Sequence, residues 1–332
     1  VCGNPVIVKP HPHAVLPLAI TVRECRETLS RYGFPPDLVT LAVEADGDRL
    51  AAALALRPEI RLIDYTGSTS FGRWLEDNAR QAVVFAEKSG VNAVLLESTA
   101  DFDGMVSNLA SSLALYSGQM CTTPRVLFVP REGIETDQGR RGLDDILASL
   151  DAAFRELADD PRRAVALLGA IVDERVERAV DTAMALPNVV IPSRRVSHPE
   201  FPRAVVRTPV VVRSDVEAAE WRREWFGPIA FAVPTESADD SVRLWEELAT
   251  SVGSLTASVY STNKSFLDQV EQVAATTGVL TALNFTGDVL VNQTVAFADF
   301  HGSGANPAAN AALVDFGFVA PRFHAAEIRE RW

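Results

Sequence analysis

Along the 332 residues, β-branched and apolar runs of period two alternate with amphipathic stretches of helical period. Residues 5–8 form a β-branched run that stops at Lys9 and the breakers Pro10-His11-Pro12-His13. Residues 14–29 then place Leu18, Val22, Cys25 and Leu29 on one helical face, ended by Gly33-Phe34-Pro35-Pro36. The same alternation predicts strands at 38–43, 61–65, 82–86, 91–96 and 125–129 and helices at 48–56 and 102–116. Farther on, strands are expected at 188–191, 205–212, 229–233, 255–260 and 316–320, and helices at 240–250 and 266–274. The section 131–181 is polar and acidic; within it, residues 144–157 keep Ile146, Leu147, Leu150 and Phe154 at helical spacing, which predicts core packing and no chemistry. Ser193-Arg194-Arg195 reads as a solvated turn, and 284–292 and 301–310 as loops of Gly, Asn and small residues. Strands and helices in alternation imply an α/β fold built on a parallel sheet.

Length allows two domains of ordinary size. A net charge of −13 argues against nucleic-acid or anionic-membrane surfaces, which need clustered positive charge. No apolar run approaches the ~18 residues that cross a bilayer, and the start lacks the apolar core of a secretory signal. Three scattered cysteines suit a reducing cytoplasm better than a disulfide framework, and five scattered histidines show no metal-ligand spacing. The chain starts at Val1, a few residues ahead of an apolar strand, and so reads as entering part-way through a domain.

Four short stretches can carry chemistry. Ser117-Gly118-Gln119-Met120-Cys121-Thr122-Thr123-Pro124 sets one thiol on a turn between helix and strand, with Gly118 leaving room for close approach. Cys121 is a nucleophile there, or a buried structural thiol. Gly67-Ser68-Thr69-Ser70-Phe71-Gly72 passes from strand to helix and offers free N–H groups to a phosphate, or is an ordinary Ser/Thr-capped helix start. Glu87, on a turn after a strand, precedes Cys121 by a strand and a helix; it is a general base or a solvated turn carboxylate. Glu224-Trp225-Phe226-Gly227-Pro228 puts a carboxylate and two aromatics on a stiff turn that holds a flat ring and a sugar hydroxyl, or corners a core.

Taken in order and spacing, these stretches resemble the aldehyde dehydrogenase superfamily over nearly the whole chain. Gly3-Asn4-Pro5-Val6-Ile7-Val8-Lys9-Pro10 resembles its lysine-bearing strand, and Thr66 to Gly72 its pyrophosphate turn. Glu87, Gly118-Gln119-Met120-Cys121 and the 224–228 stretch fall where the family has its glutamate, its nucleophile and its nicotinamide-ribose motif. Within the superfamily, residues 117–124, His198-Pro199-Glu200-Phe201-Pro202 and Asn284-Phe285-Thr286-Gly287-Asp288 look most like PaaN-type phenylacetic acid degradation proteins.

The resemblance implies a fold and a reaction. The fold is the later half of a Rossmann-type cofactor domain over 1–88, a thiol domain over 89–300 and a C-terminal loop and oligomerisation strand over 301–332. In the reaction, Cys121 attacks an aldehyde, hydride leaves to NAD(P), and Glu87 activates the water that releases the acid. It also implies that Lys9 meets the adenine ribose, Gly67 and Ser68 the pyrophosphate, and Glu224 with Phe226 the nicotinamide end, in a homodimer or homotetramer. The PaaN likeness further implies a ring-opened semialdehyde carried as a coenzyme A thioester. NAD-preferring relatives carry a glutamate three residues after the lysine; here Pro12 stands there between His11 and His13, which implies NADP, with NAD as the alternative. Two departures stand out. The family's Glu-Leu-Gly-Gly-Lys is Glu87-Lys88-Ser89-Gly90 here, and its oxyanion asparagine would precede Val1. A coenzyme A-acylating enzyme and an inactive nucleotide-binding fragment are the rival readings.

Overall fold

The computed structural model describes residues 4–45, 47–88, 90–296 and 302–311. They fall into two compact units, one reaching Thr66 and adding Ser70–Ala86, the other comprising Gly67–Thr69 and everything described from Glu87 onward. The predicted strand at 316–320 lies outside the described residues.

In the first unit β1 (Val6–Val8) leads through a one-turn helix to α1 (Val15–Arg31), and the chain returns as β2 (Val39–Leu41), parallel to β1. Gly33 takes φ +77° just past α1, a conformation that side-chain-bearing residues resist, and so the helix ends there. After α2 (Leu50–Ala55), β3 (Leu62–Gly67) and β4 (Val83–Lys88) flank α3 (Thr69–Asn78) and pair with each other.

The second unit is organised by one seven-stranded sheet. After β5 (Asn92–Leu96) and the short β6 (Ser98–Thr99), α4 (Phe102–Ala114) leads to β7 (Pro124–Pro130), and β8 (Glu135–Thr136) pairs with β6. Three helices follow, α5 (Leu143–Asp159), α6 (Pro161–Leu168) and α7 (Glu174–Met184), then β9 (Val189–Ile191) and the antiparallel pair β10 (Arg195–Val196) and β11 (Val206–Arg207). The chain continues through β12 (Val210–Arg213), β13 (Ile229–Thr235), α8 (Ala238–Ser251), β14 (Thr256–Tyr260), α9 (Lys264–Thr277), β15 (Leu280–Leu283) and α10 (Val291–Ala296). The sheet order is β15-β14-β5-β7-β13-β12-β9, parallel throughout except for β9 at one edge.

Helices cover both faces, so the central strands read as continuous apolar runs. The alternation survives inside them: Leu127 and Val129 join the core built with α4, α5 and α6, while Val126 and Phe128 join the core built with α7, α8 and α9. Among the described residues no helix is long and apolar enough to cross a membrane.

Three local expectations need correction. Glu87 and Lys88 end strand β4 rather than forming a turn, because Glu87 bridges Ala309 and the Lys88 N–H donates to the Ala308 carbonyl at 2.6 Å, partners distant in sequence. The run 205–212 is two strands, since Thr208 N donates to Arg194 O and Pro209 has no N–H to continue a ladder. Arg195 sits in β10, and Arg194 pairs with Asp151 at 2.8 Å, so this segment is tied down rather than solvated.

Candidate active site

Parallel strands start at a common edge, and the connections that enter β5, β7, β13 and β14 therefore arrive at one end of the sheet. The Cys121 turn precedes β7, the 224–228 turn precedes β13, and Glu87 precedes β5. Open α/β sheets usually bind ligands at the carboxyl ends of their strands; here the thiol stands at the amino ends.

The approach to Cys121 is strained. Tyr116 and Ser117 both have φ +51° and Gly118 has φ +60°, three successive left-handed residues of which two carry side chains. Each such residue costs on the order of 1–3 kcal/mol and persists only where its surroundings over-determine it. Those surroundings are explicit. Asn92, fully buried at the start of β5, donates through Nδ2 to the carbonyls of Cys121 (2.7 Å) and Thr123 (2.9 Å). Its Oδ1 accepts from the N–H groups of Leu255 (2.9 Å) and Thr256 (3.0 Å), which ties the thiol turn to the start of β14. Thr122 Oγ1 donates to Asn292 O at 3.0 Å, and Gln119 Nε2 donates to Ala170 O at 3.1 Å. Cys121 itself is half-buried.

The 224–228 turn divides its residues between core and site. Trp225 is buried, with its indole N–H on Glu220 O at 2.8 Å, and is the core corner that the sequence allowed. Glu224 is half-buried and Phe226 is 39% exposed. Gly118 meets this turn backbone to backbone: a Cβ on it would lie 2.2 Å from the Gly227 carbonyl oxygen. The structure therefore brings the Cys121 turn and the 224–228 turn together at Gly118 and Gly227.

Sequence reading passed over Asn92 and Arg125. Arg125, at 2% exposure, donates through Nη2 to Gly118 O (2.8 Å) and Met120 O (3.2 Å) and through Nη1 to Gly227 O. Its guanidinium carbon lies 5.7 Å from the centroid of the Phe226 ring. Burial pushes Arg125 down to about 10, with the Glu224 carboxylate and the nearby Cys121 side chain opposing that fall, so it remains a cation at neutral pH. The sequence did hold a signal for both: a lone Asn in the apolar run 91–96, and an Arg opening the apolar run 125–129.

The remaining site residues are less enclosed. Glu87 is half-buried at the end of β4. Gly67 and Ser68 are exposed where β3 passes into α3. In the first unit Lys9, just past β1, forms an ion pair with Glu44, which follows β2. The Glu44 carboxylate is 9% exposed and also accepts from Ala51 N at 3.3 Å, and the Lys9 bond holds it below its ordinary value of 4.5. His11 Nδ1 accepts from His13 N at 3.2 Å within the one-turn helix. Among the described residues no cluster of three or more His, Cys, Asp or Glu could hold a metal.

The chain as a whole is similar to known proteins. The aldehyde dehydrogenase family model matches residues 1–313. The crystal structure of an NAD-dependent aldehyde dehydrogenase from Burkholderia multivorans is similar with a TM-score of 0.93 and 50% identity, covering 97% of this chain and 58% of that one. The bifunctional protein PutA of Klebsiella aerogenes is 25% identical over an alignment of 336 positions that covers 96% of this chain and 24% of PutA. A 3,6-anhydro-alpha-L-galactose dehydrogenase of Streptomyces coelicolor is 29% identical over an alignment of 301 positions that covers 88% of this chain and 56% of that protein. The chain thus spans between a quarter and three-fifths of the length of these relatives.

Proposed function

This chain belongs to the aldehyde dehydrogenase family, and we propose that it serves the oxidation of an aldehyde to a carboxylic acid by a nicotinamide dinucleotide. The observation that carries the reading is the backbone contact between Gly118 and Gly227, which joins the thiol turn to the turn bearing Glu224 and Phe226. Two glycines meeting there let the two turns approach more closely than any side chain would allow.

Cys121 adds through sulfur to the aldehyde carbon, and the resulting oxyanion is met by the Cys121 backbone N–H. The bound dinucleotide supplies the hydride acceptor. Cys121 then carries the acyl group as a thioester, and Glu87 takes a proton from the water that cleaves it, freeing the acid and the thiol. Glu224 and Phe226 hold the nicotinamide end, Gly67 and Ser68 the pyrophosphate, and Lys9 the adenine ribose. In this assignment residues 1–88 serve the cofactor and 89–300 the thiol chemistry. A reducing cytoplasm, which keeps Cys121 as a thiol, suits this reaction, and a homodimer or homotetramer is the assembly we put forward.

For the dinucleotide, Pro12 implied NADP because no carboxylate stands there to repel a 2′-phosphate. Glu44 supplies that carboxylate from the end of β2, already ionised and paired with Lys9. A buried carboxylate at this place accepts from ribose hydroxyls and repels a 2′-phosphate, and the similar Burkholderia multivorans enzyme is NAD-dependent. Both observations favour NAD. For the substrate we put forward the ring-opened semialdehyde coenzyme A thioester of phenylacetate degradation, supported by the likeness at 117–124, 198–202 and 284–288. Glu87, as a base for water, favours free acid over acyl-coenzyme A as product.

The test is aldehyde-dependent cofactor reduction by the full-length protein and its Cys121→Ser variant, with and without added coenzyme A. Loss of at least about 1,000-fold in turnover is expected; undiminished turnover in the variant overturns the reading.

A further inference from the structure

Arg125 has no part in the chemistry outlined above, yet it is a buried cation placed among the groups that do. Burying a guanidinium is costly unless its charge and its donors are both used. Its donors are used on three carbonyls: Gly118 and Met120 from the thiol turn and Gly227 from the nicotinamide-side turn. Simple packing at the start of β7 needs none of this, because an apolar residue there would have continued the run of Val126, Leu127 and Phe128. The contacts instead bridge two connections that are far apart in sequence and meet only through backbone. The guanidinium also faces the Phe226 ring, and its bond to the Met120 carbonyl sets the positive charge one residue from Cys121.

We propose that Arg125 is a positioning residue that locks the Cys121 turn to the 224–228 turn and supplies the countercharge for the Cys121 sulfur. The proposal rests on the reading of Cys121 as nucleophile. The fork of a guanidinium is required for the first role, since an ammonium cannot donate to carbonyls of both turns in one fixed plane. Positive charge alone is enough for the second. Lysine and glutamine therefore separate them: lysine keeps charge and loses the fork, while glutamine loses both.

The experiment compares full-length wild type with Arg125→Lys and Arg125→Gln. Folding is followed by circular dichroism, and the rate of Cys121 alkylation by iodoacetamide by peptide mass. Turnover and KM for the dinucleotide are measured alongside. Arg125→Lys is expected to keep alkylation within about 3-fold of wild type. Its KM for the dinucleotide should rise about tenfold and its kcat fall about 100-fold, the scale of a misplacement near 1 Å. Arg125→Gln is expected to show the same kinetic losses and, in addition, alkylation slowed about tenfold at neutral pH. Folded variants with wild-type alkylation, kcat and KM overturn the proposal. Failure of both variants to fold overturns it as well, because Arg125 is then an architectural cation only. Cys121→Ser run in parallel keeps the two readings apart: retained turnover there sinks the nucleophile, whereas its loss beside unaffected Arg125 variants sinks the positioning role alone.

Discussion

The thiol turn and the Lys9–Glu44 corner are held in opposite ways. Around Cys121, the carbonyls of Gly118, Met120, Cys121, Thr122 and Thr123 are all engaged by side chains from elsewhere, and three successive left-handed residues are kept in place by those contacts. Lys9 and Glu44 extend from two three-residue strands with exposed or half-exposed faces, and one ion pair links them. Covalent catalysis needs a sulfur fixed to a fraction of an ångström. Recognition of a sugar needs charge and donors within reach, and tolerates some give. The more densely bonded of the two regions is thus the one to which we assign the covalent chemistry.

If that contrast is sound, perturbing the thiol side should cost rate and fold, and perturbing the corner should cost only affinity. The largest effect is expected from Glu87→Gln, which removes the proposed base for thioester hydrolysis and should slow steady turnover about 100- to 10,000-fold while leaving the first turnover fast; rapid-mixing kinetics report both. Next is Gly118→Ala, which adds a Cβ against the Gly227 carbonyl at a residue with φ +60°. It should destabilise the protein by about 2–4 kcal/mol in denaturant melts; a neutral result would mean that the two turns do not pack backbone to backbone. Asn92→Leu leaves two buried carbonyls and two buried N–H groups without their amide and should cost about 2–4 kcal/mol in the same melts.

Smallest is Glu44→Gln, expected to weaken NAD binding and improve NADP binding by about tenfold in their ratio, measured by calorimetry, with kcat for bound enzyme unchanged. Its pH signature follows from the sign of the shift. Because Lys9 holds Glu44 below 4.5, the pair stabilises the first unit above that value and loses its contribution as pH falls through the lowered folded value. Amide exchange at Val8 and Leu41 should accelerate there in wild type and show no such step in Glu44→Gln.

Much of this was legible in the sequence, for identifiable reasons. The central strands, buried on both faces, are unbroken apolar runs, and α5 carries a clean helical stripe, so both stand out without a structure. The Cys121 and 224–228 turns announce themselves by glycine beside a chemically active residue. What stayed hidden depends on distant partners. β15 and α10 fell in stretches with no strong period, and they are fixed by pairing to β14 and by Asn292, whose Nδ2 donates to Ser112 O. Glu87 read as a turn residue because its strand partner lies at Ala309. Asn92 and Arg125 look like punctuation at strand ends until the carbonyls they serve are brought near, and Glu44 gains meaning only once β2 returns alongside β1.

The central claim is that the Cys121 sulfur carries the acyl group. The most direct measurement is the mass of the Cys121-containing peptide from the full-length Glu87→Gln protein, acid-quenched during reaction with aldehyde and dinucleotide. This peptide is expected to gain the mass of the acyl group in stoichiometric yield. Carboxylic acid formed at the wild-type rate, with Cys121 unmodified at every quench time, would contradict it.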